Sequence, residues 1–344
     1  MQWQLIGPKI PIPVWYSHLL RARGFASEEK GVIWSTLKAE DYTEISGRVL
    51  LLVHGTGLRT QACFLGLTQD EFNDLYKSYD GCILAFEHCA LSHHLDRNSQ
   101  DLATALALFS GGLELDVVGL SRGGLVVRRL VEGWTELRKN IEIRRLIFIS
   151  TPNDGTPSAR RDKVGSGARE MKAWRKDVRR LGLVDQRERE IELWEDPFSL
   201  RGLEDRDRNC LTWPILQGTQ DQVPSSPMLQ ILNGFCGRAP FPKRETVYFA
   251  VTSVFTFEYG APNVVLSKKQ TREEITDWAL FQVPNDLVVP TSGVYAPKQG
   301  VDASGLFPLA RERLVVLHPS CNATHVGVFR IAAVRKQIRQ WLEG

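Results

Sequence analysis

The chain has 344 residues, of which 43% are hydrophobic and 24% charged, and its formal net charge is +3. These values are those of an ordinary globular protein, and they exclude collagen-like, disordered and disulfide-rich miniprotein classes. A net charge this close to zero gives no support to nucleic-acid binding. A chain of this length can also bury a core that needs neither disulfides nor a metal to fold.

The start of the chain and its cysteines predict a cytoplasmic protein. Residues 1–8 lack the basic start and the continuous apolar run of a signal peptide. No run reaches the roughly 18 apolar residues of a membrane-spanning helix, so we expect no transmembrane segment. The six cysteines show no metal-ligand spacing, and we expect them to be reduced thiols.

Short apolar runs alternate with helical patterns along much of the chain. Apolar runs bounded by turn residues are typical of strands that are buried on both faces of a parallel sheet. Their alternation with helices predicts an α/β fold with a mostly parallel central sheet flanked by helices. The predicted strands are 48–53, 82–86, 115–119, 146–150, 247–251 and 314–317, and the predicted helices are 98–109, 124–137 and 326–342.

Two regions do not follow this alternation. Residues 1–46 are predicted to be an N-terminal extension, with 31–37 as a candidate first strand. Residues 157–245 carry a basic half followed by an acidic half, and we expect them to form an inserted helical cap, or lid, over the catalytic edge of the sheet. The core is then predicted to consist of 47–156 and 246–344. The amphipathic stripe that favours a helix in the cap is Met171, Trp174, Val178 and Leu181.

One motif carries the predicted chemistry. Residues 119–123, Gly-Leu-Ser-Arg-Gly, match G-x-S-x-G, and they follow a predicted strand directly and open a predicted helix. A sharp strand-to-helix turn of this kind presents its serine as a nucleophile in a strained conformation. Glycines on both sides leave room where side chains would clash. We therefore predict that Ser121 is the nucleophile.

A serine nucleophile needs a base, and the base needs an orienting carboxylate. In a strand-to-helix serine turn of this kind the chain order is serine, acid, histidine. His325, in a loop before the terminal helix, is the favoured base, and His318 is the alternative. Asp286 lies in a proline-bounded turn after the strand at 247–251 and is the favoured acid. Asp221 lies in a similar turn and stays open as its rival.

The oxyanion of the tetrahedral intermediate needs two backbone N–H donors. One is expected to be Arg122, the residue after the nucleophile. The other is expected in the loop after strand 48–53, with Thr56 as first choice and Gly57 as second. His54 in this loop is interpreted as a packing residue. The early histidines, which are interpreted as surface residues of a loop, are His88, His93 and His94.

Taken together, these residues resemble the α/β-hydrolase superfamily, in particular its bacterial lipase and esterase branch. They are similar to hydrolase domains that are sometimes fused to caspase-like CHAT domains. Leu120 departs from the many relatives that carry histidine there, without removing a catalytic group. The motifs that match in order are HGTG at 54–57, GLSRGG at 119–124, TPNDGT at 151–156, NDLVVP at 285–290 and THVGVF at 324–329.

The resemblance implies ester hydrolysis through an acyl-enzyme, with no metal or organic cofactor. We expect a small-molecule or lipid ester as substrate, because a cap can bury an apolar acyl chain. Arg122, Arg128, Arg129 and the basic half of the cap hint at an anionic headgroup, although a solvated charged face is the favoured explanation of the cap residues. Two alternatives stay open: an amide or thioester hydrolase with the same triad, and a non-catalytic binding module with a protein partner or a fused module.

Overall fold

The structure is a computed structural model of the whole chain. It describes residues 17–56, 59–90, 93–132, 137, 139–159, 217–234, 246–255, 283–296, 309–321, 323–325 and 327–344. Of the predicted cap, 157–159 and 217–234 are therefore described. The predicted amphipathic stripe from Met171 to Leu181 lies outside the described residues.

One eight-stranded sheet organises the described chain. Its strand order is β2-β1-β4-β3-β5-β6-β7-β8. From β4 to β8 every neighbouring pair is parallel, whereas β1 is antiparallel to both β2 and β4. This confirms the prediction of a mostly parallel sheet. The strands are β1 His18–Ser27, β2 Gly31–Thr36, β3 Gly47–Val53, β4 Ile83–Glu87, β5 Leu113–Leu120, β6 Ile141–Ile149, β7 Val247–Ser253 and β8 Leu314–Leu317.

Helices connect most of the parallel strands, as the alternating pattern predicts. Because parallel strands need crossover connections, their carboxyl ends meet at one edge of the sheet, and the loops that follow them converge there. No helix of the described residues is long and apolar enough to cross a lipid bilayer. The helices are α1 Asp41–Glu44, α2 Thr60–Cys63, α3 Gln69–Ser78, α4 Leu95–Leu106, α5 Arg122–Val131, α6 Gln217–Gln220, α7 Pro227–Leu232, α8 Thr291–Tyr295 and α9 Ala332–Glu343.

The sheet is buried on both faces. Successive side chains of a strand point to opposite faces, so β5 sends Leu115 and Val117 into one apolar cluster and Val118 and Leu120 into the other. Apolar residues of α4 and α5 cover the first face, and α3 and α9 cover the second. Burial on both faces explains why these strands are continuous apolar runs in the sequence.

The described residues of the predicted N-terminal extension belong to the sheet. The predicted strand at 31–37 is β2, at the edge. β1 lies between β2 and β4 and pairs with β4 in antiparallel register, from His18 opposite Glu87 to Arg21 opposite Leu84. Within the predicted extension of 1–46, the described residues therefore add two strands to the core sheet.

A buried arginine joins α5 to a described part of the predicted cap, residues 217–234. Arg128 is fully buried, and its Nε donates to Glu132 Oε1 at 2.6 Å. Its Nη1 donates to Asn153 Oδ1 at 3.2 Å and to Asn233 Oδ1 at 2.9 Å. Burial raises the pKa of Glu132 to about 7, although Arg128 and the hydroxyl of Tyr248 act in the opposite direction.

The arginines of α5 therefore do not form a headgroup site. Arg122 and Arg128 are buried and bond to protein groups, and Arg129 is bonded to Asp96. The hint of anion recognition by these three side chains is wrong. Their spacing in the sequence does not show that acceptors from distant segments surround them.

Replacement of Arg128 by methionine is expected to lower the free energy of unfolding by about 3–5 kcal/mol, since it leaves Glu132 buried without its cation. Urea unfolding of the wild type and the variant measures this loss. Arg144→Met is the matched control, because Arg144 and Glu114 form an exposed pair at 2.9 Å, which contributes about 1 kcal/mol or less. Equal losses in the two variants would contradict the structural role of Arg128.

Candidate active site

The predicted nucleophile lies on a sharp turn between β5 and α5. Ser121 has φ 53° and ψ −128°, a conformation that residues other than glycine rarely adopt. A backbone of this kind costs about 1–3 kcal/mol and persists only where the surroundings enforce it. Here the N–H of Ser121 donates to the carbonyl of Ile149 at the end of β6.

Glycines allow this turn to press against its neighbours. A Cβ atom on Gly119 would lie 2.6 Å from the Cα of Gly124, and one on Gly123 would lie 2.6 Å from the carbonyl oxygen of His54. Non-bonded heavy atoms do not approach each other this closely, so any side chain would push α5 away from β5 or from the end of β3. The glycines of G-x-S-x-G are therefore required by packing.

The predicted base and acid lie together. His325 Nδ1 is 2.9 Å from Asp286 Oδ2, and both side chains are buried. The other carboxylate oxygen, Oδ1, accepts backbone N–H groups from Val288 at 3.0 Å and Val289 at 2.7 Å. The intervening Leu287 has φ 80°, which bends the chain back around the carboxylate. These bonds fix the carboxylate and, through it, the orientation of the imidazole.

The end of β7 holds both loops of this pair. Ser253 Oγ donates to the carbonyl of Ala323, two residues before His325, at 3.0 Å. The carbonyl of Ser253 accepts the hydroxyl of Thr291, five residues after Asp286, at 2.7 Å. The backbone N–H of His325 also donates to the carbonyl of Asp286 at 3.0 Å. The two loops are thus joined to one strand and to each other.

Ser121 follows β5, and the Asp286–His325 pair lies beyond the ends of β7 and β8, at the same edge of the sheet. In the described part of the chain no hydrogen bond joins the Ser121 hydroxyl to His325. Catalytic hydrogen bonds are often long in proteins without substrate and shorten in the substrate complex. Ser121 is 5% exposed and His325 3%.

The rival acid has different partners. Asp221 Oδ1 is 3.2 Å from Nδ1 of His94, and its Oδ2 accepts the backbone N–H of Leu95 at 2.5 Å. The guanidinium of Arg122 lies 3.9 Å away. Asp221 therefore caps the start of α4, and the structure brings it together with His94 and not with His325.

The predicted oxyanion loop packs directly on the nucleophile. A Cβ atom on Gly55 would lie 2.8 Å from the Cβ of Ser121. Thr56 follows it, and its hydroxyl accepts a hydrogen bond from Gln222 Nε2 at 2.8 Å. Arg122 is the first residue of α5, where a backbone N–H has no acceptor within the helix. Gly57, the second choice in this loop, lies outside the described residues.

His54 shapes this loop. Its Nδ1 lies 2.8 Å from the carbonyl of Gly55, and its Nε2 accepts the backbone N–H of His88 at 3.1 Å. Both bonds are satisfied by a neutral ring with its proton on Nδ1. His54 is thereby engaged with backbone groups on both nitrogens, as expected for a packing residue.

The burial of His88 shows that the interpretation of the early histidines as surface residues is wrong for this residue. Its ring is buried, and the ring centroid lies 4.1 Å from that of His54 and 5.4 Å from that of Phe86. Burial lowers the pKa of His54 and lowers that of His88 well below its ordinary value. Of the other two, His94 is half-exposed and bonds to Asp221. Among the described residues, no group of three or more histidine, cysteine or acidic side chains is placed to hold a metal.

Comparison with protein families identifies the chain's family. A model described as a domain of unknown function, DUF7379, matches residues 21–343. Because the match covers most of the chain, the protein belongs to the DUF7379 family. No curated protein matches the chain significantly.

Comparison with solved structures shows which fold the chain has. 2-Hydroxy-6-oxo-6-phenylhexa-2,4-dienoate hydrolase (BphD) from Rhodococcus sp. strain RHA1 is similar with a TM-score of 0.50, at 12% identity over 91% of this chain and 94% of its own. EstA from Clostridium botulinum has a TM-score of 0.47, at 16% identity over 94% of this chain and 95% of its own. Phospholipase PlaB from Legionella pneumophila has a TM-score of 0.43, at 14% identity over 72% of this chain, which spans 45% of PlaB. The chain has the α/β-hydrolase fold, which confirms the predicted fold class.

The buried histidines make stability depend on pH. The pKa of His88 is lower in the folded than in the unfolded chain, where it is about 6.5. Below pH 6.5 the unfolded chain binds a proton that folded His88 does not, so this contribution to stability falls as the pH falls. Replacement of His88 by phenylalanine keeps an aromatic ring beside His54, and it is expected to reduce that fall.

Urea unfolding between pH 7.5 and pH 5.5 measures the effect as the difference between the wild type and His88→Phe, up to about 1.4 kcal/mol per pH unit for one proton. Glu132 acts in the opposite direction, since its raised pKa favours the folded state as the pH falls. Both proteins contain Glu132, so its contribution cancels in the difference between them. His318→Phe, at an exposed position, is the control. If the unfolding free energies of the wild type and His88→Phe change with pH in parallel, His88 takes up a proton as readily in the folded as in the unfolded chain, and the prediction is wrong.

Proposed function

We propose that this chain is a serine hydrolase that cleaves carboxylic esters through Ser121, His325 and Asp286. The observation that carries the proposal is the buried Asp286–His325 hydrogen bond, at the same edge of the sheet as the strained turn of Ser121. A strained turn costs free energy, and a buried carboxylate and imidazole need partners to offset their desolvation. Their occurrence together at the carboxyl edge of one sheet favours a catalytic role.

The roles in the first half-reaction follow from the bonds of each group. His325 uses Nδ1 toward Asp286, so Nε2 carries the lone pair that takes the proton of the Ser121 hydroxyl. The Ser121 oxygen bonds to the carbonyl carbon of the ester, and the π electrons of the carbonyl move to the carbonyl oxygen, which becomes the oxyanion. As the intermediate collapses, the bond to the alcohol oxygen breaks, and His325 returns its proton to the alcohol. The acyl group remains on Ser121.

Water completes the cycle by the same steps. His325 Nε2 takes a proton from water, whose oxygen attacks the acyl carbon, and Ser121 leaves with the proton that His325 returns. In both halves the oxyanion would accept the backbone N–H groups of Arg122 and Thr56. The N–H of Arg122 also lies at the positive end of the α5 dipole. Such donors cost no reorganisation during the reaction because the fold already holds them in place.

An amide or thioester hydrolase would use the same groups, because His325 would supply the single proton that an amine, a thiol or an alcohol leaving group takes. The cap proposed for 157–245 would bury an apolar acyl chain, and we propose a lipid-like or small-molecule ester as substrate. A non-catalytic module with the same fold predicts no Ser121-dependent chemistry at all.

Labelling with a fluorophosphonate probe tests the nucleophile, since it forms a stable adduct only with an activated serine. The wild type is expected to carry one adduct, located on Ser121 by peptide mapping, and Ser121→Ala is expected to carry none. Ester turnover, followed with p-nitrophenyl butyrate, should fall by about 10³-fold or more in Ser121→Ala. An adduct on another serine, or turnover that survives in Ser121→Ala, would contradict the proposal.

Replacement of the base and the acid tests the pair. His325→Ala and Asp286→Asn are expected to lower kcat by about 10³- to 10⁴-fold, because one removes the base and the other no longer holds its tautomer. His318→Ala and Asp221→Asn remove the two residues that the sequence leaves as alternatives, and the first is the matched control for the histidine. A larger loss in His318→Ala than in His325→Ala would overturn the assignment of the base.

A further inference from the structure

A short segment at residues 217–226, here called the bridging segment, lies across the loops of the candidate site. Asp221 contacts the loop after β4 through His94 and Leu95. The backbone of Gly218 packs so closely on the carbonyl of Ala90 that a side chain there would clash. The same segment reaches Thr56 in the loop after β3. It therefore connects loops that are far apart in sequence.

Gln222 is the residue of the bridging segment that reaches the oxyanion loop. It is 4% exposed, and its Nε2 donates to Thr56 Oγ1 at 2.8 Å. Its own carbonyl accepts the backbone N–H of Thr156 at 2.8 Å, in the turn after β6. A Cβ atom on Gly155 would lie 2.8 Å from that carbonyl oxygen. The backbone of Gln222 is thus fixed on one loop while its side-chain amide holds the next.

Thr56 is the last described residue before 57–58, and its side chain is half-buried. On its N-terminal side the loop is fixed by the contact of Gly55 with Ser121 and by the His54 ring. The bond from Gln222 fixes it from the other side. Because the donor strength of an N–H depends steeply on its direction, a loop held at both sides can keep its N–H in one direction.

We propose that Gln222 is a positioning residue for the oxyanion hole: it holds the Thr56 hydroxyl and so fixes the direction of the Thr56 N–H. The inference rests on the proposed function, because it assigns a role within that reaction. Gln222 does not itself contact the reacting atoms. Its effect is expected in kcat, since the oxyanion forms only after substrate has bound.

A double-mutant cycle tests the inference with two replacements of nearly unchanged size, Gln222→Met and Thr56→Val. Each single variant is expected to lower kcat for p-nitrophenyl butyrate by about 10-fold, less than the 10²–10³-fold that follows complete loss of an oxyanion donor. KM should change less than about threefold. The double variant should lose no more than either single variant, since both remove the same bond.

The outcomes separate this inference from the proposed function. Additive losses of about 100-fold in the double variant, or a loss in Thr56→Val with none in Gln222→Met, would overturn the positioning role while Ser121 still accepts the fluorophosphonate. Wild-type protein with neither turnover nor a Ser121 adduct would overturn the proposed function and this inference with it. A change confined to KM would assign Gln222 to substrate binding instead.

Gln230→Met is the matched control, because Gln230 lies close by, in α7, and its amide donates to Ser225 and not to the oxyanion loop. Urea midpoints check that the variants fold. If Gln222→Met lowers the midpoint, the comparison of Thr56→Val with Thr56→Ser decides, since serine keeps the hydroxyl. The inference predicts a smaller loss in kcat for Thr56→Ser, and equal losses would overturn it.

Discussion

The close approach of the Ser121 turn to the end of β3 is the constraint on which the candidate site depends. The start of α5 lies so near the carbonyls of Val53 and His54 that position 123 has no room for a Cβ atom. The same approach presses Gly55 against Ser121, which places the proposed oxyanion loop beside the proposed nucleophile. Two chain segments more than 60 residues apart thus lie in direct contact, because glycines allow their backbones to touch. Any side chain there would separate the proposed nucleophile from the loop that carries a proposed oxyanion donor.

The buried polar groups around this contact form a set of pairs, each with its own function in the fold. Asp286 and His325 are joined to each other and, through Ser253, to β7. Asp221 instead joins the start of α4 to the bridging segment. Two aspartates in similar turns therefore differ because of the loop that each one faces. Burial lowers the pKa of Arg122 to about 10, with Asp221 opposing the effect, so its guanidinium stays charged while it donates to the carbonyls of Ala90 and His93.

The sequence predicted what local rules and chain order determine. Continuous apolar runs identified the parallel strands, and the serine motif identified the turn between β5 and α5, because both patterns depend on neighbours in the chain. The N-terminal strand pairing could not be predicted in this way: β1 contains Arg21 and Arg23, whose charges are paired with Asp41, and its register is set by β4. The burial of His88 and Arg128 was missed for a related reason, since the groups that surround them come from segments far along the chain. The choice between Asp221 and Asp286 likewise depends on which loop meets His325.

The arrangement also explains why a short segment outside the sheet matters to chemistry at its edge. A parallel sheet fixes where each strand ends, but it leaves the loops beyond those ends to be held by contacts with one another. Here the loop after β7 and the loop after β8 hold each other through Asp286 and His325. The loops after β3 and β4 are joined by the bond from His88 to His54. Both loops are also bonded to the bridging segment, the first through residue 222 and the second through residue 221, and the loop after β6 is bonded to residue 222 as well. Orientation of a backbone donor toward a developing charge requires rigidity on the scale of tenths of an ångström, and at this edge the bridging segment is what supplies that rigidity to the loop of Thr56.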